Sequence, residues 1–231
     1  MTHSTGEQDR PPAHHRDVYD CADPHRRAAG IAAAISAVKA GQLVVVPTDT
    51  VYGIGADAFD PAAVESLLAA KGRGPDMPVG VLVGSWRTID GLVFTVPDAA
   101  RTLIRAFWPG ALSLVVTAAP SLPWNLGDTG GTVMLRMPLH PVAIEVLRAI
   151  GPMAVSSANV SGRPAAGTAA EAREQFADRA AVYLDAGPAA QQAASTIVDL
   201  TGAGPRILRT GPVSVERVAA VLEVDPAALT D

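Results

Sequence analysis

The chain has 231 residues, a formal net charge of −5, 48% hydrophobic residues and only 4% aromatic ones. That length supports a core that folds unaided, and the mild acidity argues against a dedicated nucleic-acid binder, which carries a basic excess. The single Cys21 excludes an intrachain disulfide framework and fits a reducing compartment. No apolar run approaches the roughly 20 residues of a membrane span, and the N-terminus lacks a signal peptide's apolar centre. A cytoplasmic protein with no membrane association is therefore expected.

Residues 1–18 are polar and contain Pro and His, the composition of a disordered tail, so one domain is expected over residues 19–231. His14 and His15 belong to that tail rather than to a metal site. From Pro24 onward, Ile31, Ile35 and Val38 recur at helical spacing, and Gly41 supplies a stop. The strand Leu43 to Val46 leads into PTDTVYGIG, Pro47 to Gly55. Small hydroxyls beside glycines leave the backbone there approachable by a small molecule. Asp60-Pro61 starts a helix that ends at Gly72, and the turn KGRGPDMP after it carries Lys71 and Arg73.

PVGVLVGSW then reads as a buried strand, Asp98 to Trp108 as a helix, and LSLVVTA as another strand. A polar loop, SLPWNLGDTGG, precedes the strand TVMLRMP. Pro141 opens a helix that feeds the strand MAVSSAN; the loop SGRPAAG and the helix TAAEAREQFAD follow. Three short strands, AVYLDAG, STIVDL and PRILRTG, and the helix VSVERVAAVLE close the chain. Interleaved strands and helices predict an α/β fold with helices layered on a central sheet. Some consecutive strands have only a turn between them, so the sheet is expected to be mixed. There are no repeats and no second domain boundary.

Several familiar chemistries lack their parts. Gly53-Ile54-Gly55-Ala56-Asp57-Ala58 matches a dinucleotide fingerprint, but that motif must open a helix directly after a strand, and here the helix starts at Asp60-Pro61. There is no G-x-x-x-x-G-K-[ST] and no G-x-S-x-G, and His140, followed by Pro141, reads as a turn residue. No Cys/His cluster has metal-ligand spacing, so no protein side chain is expected to bind a metal. What remains is a set of polar residues at strand ends: Lys71 and Arg73 after a helix, Arg136 behind Thr132, Ser156, Ser157 and Asn159, Ser195 and Thr196, and Arg209. Ligands of open α/β sheets gather at such ends, and guanidinium forks suit carboxylate or phosphate. Each residue taken singly also has a structural reading, Arg209 as a surface ion pair and Ser157 as a turn hydroxyl.

Seven ordered motifs, PTDTVYGIG, AKGRGPDMPV, WPGALSLVV, GTVMLRMPLHP, SSANVSG, STIVDL and ILRTGP, resemble the YrdC-like family of threonylcarbamoyl-AMP synthases from about Cys21 to Val221. The resemblance implies a three-layer α/β fold with a twisted mixed sheet around a concave cavity. It also implies a nucleotidyltransferase reaction in which L-threonine, bicarbonate and ATP, with Mg2+, give threonylcarbamoyl-AMP and pyrophosphate. A partner transferase complex would then modify an adenosine beside the tRNA anticodon, with room for a weak direct contact to tRNA. By the same resemblance, Thr50, Arg136 and Ser195 would contact threonine. Lys71, Arg73, Ser157 and Asn159 would be catalytic and face the triphosphate, and Met77, Thr132, Val155, Ala165 and Arg209 would complete the ATP site.

Met77, Leu82 and Ala165 depart from residues common in the family, Asn, His and Ser respectively. By the same resemblance a short type is expected, without the linker and second domain of longer relatives. In it the loop Gly187 to Ala194, or the N-terminal segment, would cover the site. Two other readings stay open at this point. One is an RNA-binding module without turnover, which would show salt-sensitive tRNA binding. The other is carbamoyl transfer in hydrogenase maturation, where such a domain accompanies a Cys-rich zinc module.

Overall fold

The computed structural model describes residues 17–191 and 193–230. In chain order the elements are β1 (Asp17–Asp20), α1 (Pro24–Lys39), β2 (Val44–Val46), β3 (Gly53–Asp57), α2 (Pro61–Lys71), β4 (Gly80–Leu82), α3 (Ile89–Leu92), α4 (Asp98–Phe107), β5 (Leu112–Thr117), β6 (Thr132–Arg136), α5 (Pro141–Ile150), β7 (Met153–Ser157), α6 (Ala169–Phe176), β8 (Val182–Asp185), β9 (Thr196–Asp199), β10 (Arg206–Arg209) and α7 (Val215–Leu222).

Local chemistry sets the helix ends. Asp23 caps α1 by accepting from the Arg26 amide, and Pro24 occupies its first turn. Asp60 caps α2 through the amides of Ala62 and Ala63, and Gly72 ends it in a left-handed conformation at φ 68°. That stop throws the chain into the turn carrying Arg73. β1 takes in the last two residues of the stretch expected to be tail; its expected companions, residues 1–16, lie outside the described residues.

All the strands form one ten-stranded sheet, ordered β1-β8-β2-β3-β7-β4-β6-β5-β9-β10. Pairing is parallel at β1/β8, β8/β2, β4/β6 and β5/β9, and antiparallel elsewhere, so the sheet is mixed as expected. Alternation along the strands divides the core. Val44, Val46, Val182 and Leu184 face α1 and α5, whereas Val45, Val81, Ala154 and Tyr183 face the layer of α2, α4, α6 and α7. This gives the three-layer α/β architecture.

Gly53 and Gly55 lie inside β3 and open no helix. Their antiparallel partners on β7 are Ser157 and Val155. A Cβ on Gly55 would fall 2.7 Å from a Val155 methyl and 2.9 Å from the Ala154 carbonyl, so the glycines serve strand packing. The α1/α5 layer leaves part of its own face open. Leu82 packs against that layer and pairs with Arg136 in parallel register, and β4, β6 and β7 then run on into a cavity.

Candidate active site

Arg136, the last residue of β6, is buried and held at three nitrogens. Its Nε donates to Gly110 O at 2.8 Å, Nη1 to Thr50 Oγ1 at 2.8 Å, and Nη2 to Asp49 Oδ1 at 2.5 Å. A guanidinium has five N–H donors, so two are left for a ligand carboxylate. Burial pushes its pKa down, and the Asp49 carboxylate opposes that shift. Thr50 is fixed in turn by Thr48, whose hydroxyl lies 3.0 Å from the Thr50 hydroxyl and donates to Val51 O at 2.6 Å. On β5, the strand neighbouring β6, Ser113 brings its hydroxyl within 2.8 Å of that of Ser195, which lies just before β9. Arg209 binds Ser195 twice, Nε to the carbonyl at 2.9 Å and Nη2 to the hydroxyl at 3.2 Å. It is therefore no surface ion pair.

The other end is built on the turn after α2 and the end of β7. Arg73 Nε donates to Ser161 Oγ at 2.7 Å and Nη1 to Ser156 Oγ at 3.3 Å, leaving the rest of the fork open. Ser157 Oγ donates to Asn159 Oδ1 at 2.6 Å, and Asn159 Nδ2 donates to Arg163 O at 2.8 Å. Lys71 is completely buried behind them, with Nζ 2.5 Å from Ser157 O, 2.6 Å from Asn159 O and 3.3 Å from Asn159 Oδ1. Burial, and secondarily Arg73, lowers its pKa to about 7.

A cavity of about 280 Å³ joins the two ends. Thr50, Arg73, Arg136, Val155, Ser157, Ser195 and Arg209 line it, and its floor includes Gly53 and Gly80. Its wall therefore holds three arginines and no carboxylate, in a chain of net charge −5. Such a cavity concentrates anions.

Lys71, Asn159, Thr132, Met77 and Ala165 do not line this cavity. Thr132 begins β6 and donates its hydroxyl to Thr129 O at 2.7 Å, and Met77 and Ala165 are exposed on flanking loops. Sequence reasoning missed Asp49, Ser113 and Ser161. Asp49 sits inside PTDTVYGIG and was legible as a charge beside the chosen Thr50, whereas Ser113 gave no signal, being one small residue inside an apolar strand. A second cavity of about 510 Å³ shares Thr48 with the first and is lined by Asp49, Trp108, His140 and the loop after β8. His140 caps no amide, and its Nδ1 is buried without a partner. Burial lowers its pKa. Among the described residues no group of three or more His, Cys, Asp or Glu is placed to hold a metal ion, and no helix is long and apolar enough to cross a membrane.

Known proteins resemble the chain in sequence and in fold. A Mycobacterium tuberculosis protein provisionally named a threonylcarbamoyl-AMP synthase is 72% identical over 92% of this chain and 98% of its own length. The threonylcarbamoyl-AMP synthase of Bacillus subtilis is 36% identical over 83% of this chain and 56% of its own. The crystal structure of Pyrococcus abyssi Sua5 complexed with L-threonine superimposes with a TM-score of 0.84 at 32% identity, covering 91% of this chain and 63% of that one. Escherichia coli YciO, at 23% identity and a TM-score of 0.74, shares the fold. The sequence profile of the Sua5/YciO/YrdC family, described under telomere recombination, matches residues 36–211. The chain belongs to the Sua5/YciO/YrdC family.

Proposed function

We propose that the protein is a threonylcarbamoyl-AMP synthase, joining L-threonine, bicarbonate and ATP into threonylcarbamoyl-AMP with release of pyrophosphate, for threonylcarbamoyladenosine modification of tRNA. The observation that carries this reading is the cavity with a locked guanidinium at each end and no acid between. Arg136 fits an amino-acid carboxylate in two-point fashion, with Thr50, Ser113 and Ser195 supplying hydroxyls beside it. Arg73 and Ser157 face the triphosphate, and Arg209, on the opposite rim, reaches the nucleotide.

Threonine's free amine adds to CO2 and gives up one proton to solvent, or displaces water from bicarbonate. The resulting carbamate oxygen attacks the α-phosphate as pyrophosphate leaves. That transfer needs alignment and fixed positive charge rather than a covalent intermediate. Held at Arg136, the threonine amine is confined to the cavity that Arg73 closes at its other end. Magnesium enters as part of the MgATP substrate. The product passes to a tRNA threonylcarbamoyl-transferase. Thr132, Met77, Val155 and Ala165 border the nucleotide's path.

The test uses purified protein, MgATP, threonine and labelled bicarbonate. Pyrophosphate release that requires all three, with label in threonylcarbamoyl-AMP, is expected. Folded protein that yields neither product overturns the assignment.

A further inference from the structure

We infer that Lys71 is a positioning residue, which holds the Ser157–Asn159 segment in shape and leaves the direct contact with triphosphate to Arg73. The inference rests on the synthase reading for its consequence, but on geometry for its content. An ammonium has three N–H donors, and three oxygens, Ser157 O, Asn159 O and Asn159 Oδ1, already surround Nζ. Lys71 is completely buried and does not line the cavity, whereas Arg73, two residues later, does.

The contacts of Lys71 all lead to one segment. Besides its three donor contacts, its own carbonyl accepts from the Ser161 amide at 2.9 Å. Asn159 Oδ1 is shared between Lys71 Nζ and the Ser157 hydroxyl, so the lysine sets where the serine proton points. The segment is braced from behind by α6 and the turn that follows it. Gln175 accepts from the Val160 amide and donates to Pro164 O, and Arg179 donates to Ala70 O at 2.9 Å, beside Lys71 on α2.

Among the ion pairs of the described residues, none gives Lys71 a carboxylate. A desolvated cation balanced only by amide dipoles is a destabilising arrangement, and its lowered pKa reflects that. A leucine or methionine would fill the space more favourably. A lysine there makes physical sense as a three-way tie between carbonyls that would otherwise repel one another.

The experiment is a double-mutant cycle read on kcat/KM for ATP and on affinity for inorganic triphosphate. If Lys71 acts through Asn159, the double variant Lys71→Met/Asn159→Ala is no worse than Lys71→Met alone, while Lys71→Met and Arg73→Ala combine additively. Lys71→Arg keeps the charge but cannot satisfy three converging oxygens, so it loses kcat by about 100-fold while triphosphate affinity falls less than in Arg73→Ala. Activity retained in Lys71→Arg, or a triphosphate defect in Lys71→Met equal to that of Arg73→Ala, overturns the inference. Where the variants do not fold, wild-type protein crystallised with a non-hydrolysable ATP analogue decides. Nζ still on the two carbonyls supports the role; Nζ on a phosphate oxygen refutes it. If wild type does not turn over, the synthase reading fails, and the triphosphate and crystal arms still test Lys71.

Discussion

Asp49 Oδ1 accepts from two donors at once, the Arg136 Nη2 at 2.5 Å and the Leu139 amide at 2.9 Å. One oxygen thereby fixes both the guanidinium at the end of β6 and the turn leading into α5. Asp49→Ala leaves a buried cation unpaired, an error worth about 3–5 kcal/mol. The expected result is a large drop in Tm together with a raised KM for threonine. Asp49→Asn keeps an oxygen for both donors and loses less on each measure. Equal damage from both substitutions would show that charge, and not geometry, is what Asp49 supplies.

Gly55→Ala tests the packing account of the glycine pair. A Cβ there meets the Ala154 carbonyl at 2.9 Å, and backbone cannot swing aside as a side chain does. Overpacking of this kind destabilises by about 1–3 kcal/mol. Chemical denaturation should show it as a lower midpoint at unchanged slope. Gly72→Ala should also destabilise the protein, for a different reason: there is open space around it but φ is 68°.

Lys71 links the site to pH. The unfolded lysine keeps its proton up to its ordinary value of 10.5, and the folded one releases it at about 7. Between these values the unfolded chain holds more protons, so stability rises with pH from about 7 towards 10.5 on this account. Activity moves the other way. A neutral amine has only two N–H donors for three oxygens, so kcat/KM for ATP falls as pH rises through about 7. A flat kcat/KM profile between pH 6 and about 9 in wild type would contradict this.

Cys21 is buried, with Sγ 3.5 Å from Tyr19 O, and burial pushes its pKa up to about 11. At pH 8 the thiolate fraction is then about 0.1%, against about a quarter for a free cysteine. Native protein should react with a thiol reagent at least about 100-fold more slowly than denatured protein. Fast labelling of folded protein would mean that β1 detaches from β8 and opens the site.

How far the sequence could be read depended on whether the deciding interaction was local. α2 was legible to the residue because Asp60, Pro61 and Gly72 act within one turn of its ends. The mixed sheet was legible from the spacing of its strands, and the family motifs pointed to Thr50, Arg73, Arg136, Ser157, Ser195 and Arg209, which the fold gathers around one cavity. β1 was hidden because DVYD carries no apolar alternation. It forms because β8 offers a parallel edge and Tyr19 packs over Gly30. Lys71 read as a cation facing the triphosphate, and only contacts 86 and 88 residues away in sequence bury it behind the Ser157–Asn159 segment. The Arg136–Asp49 pair spans 87 residues and left no trace in either motif alone.

The cavity floor has a consequence for the thermodynamics of filling it. Gly53 and Gly80 present main chain where other strands would present side chains. The arginines at its ends are already tied to carbonyls, hydroxyls or a carboxylate before any ligand arrives. Immobilising a free side chain on binding costs about 0.5–1.5 kcal/mol, and here few rotamers remain to be frozen. The entropy lost when this site is occupied therefore belongs mainly to the substrates, and calorimetry should find association with little ordering of the protein itself.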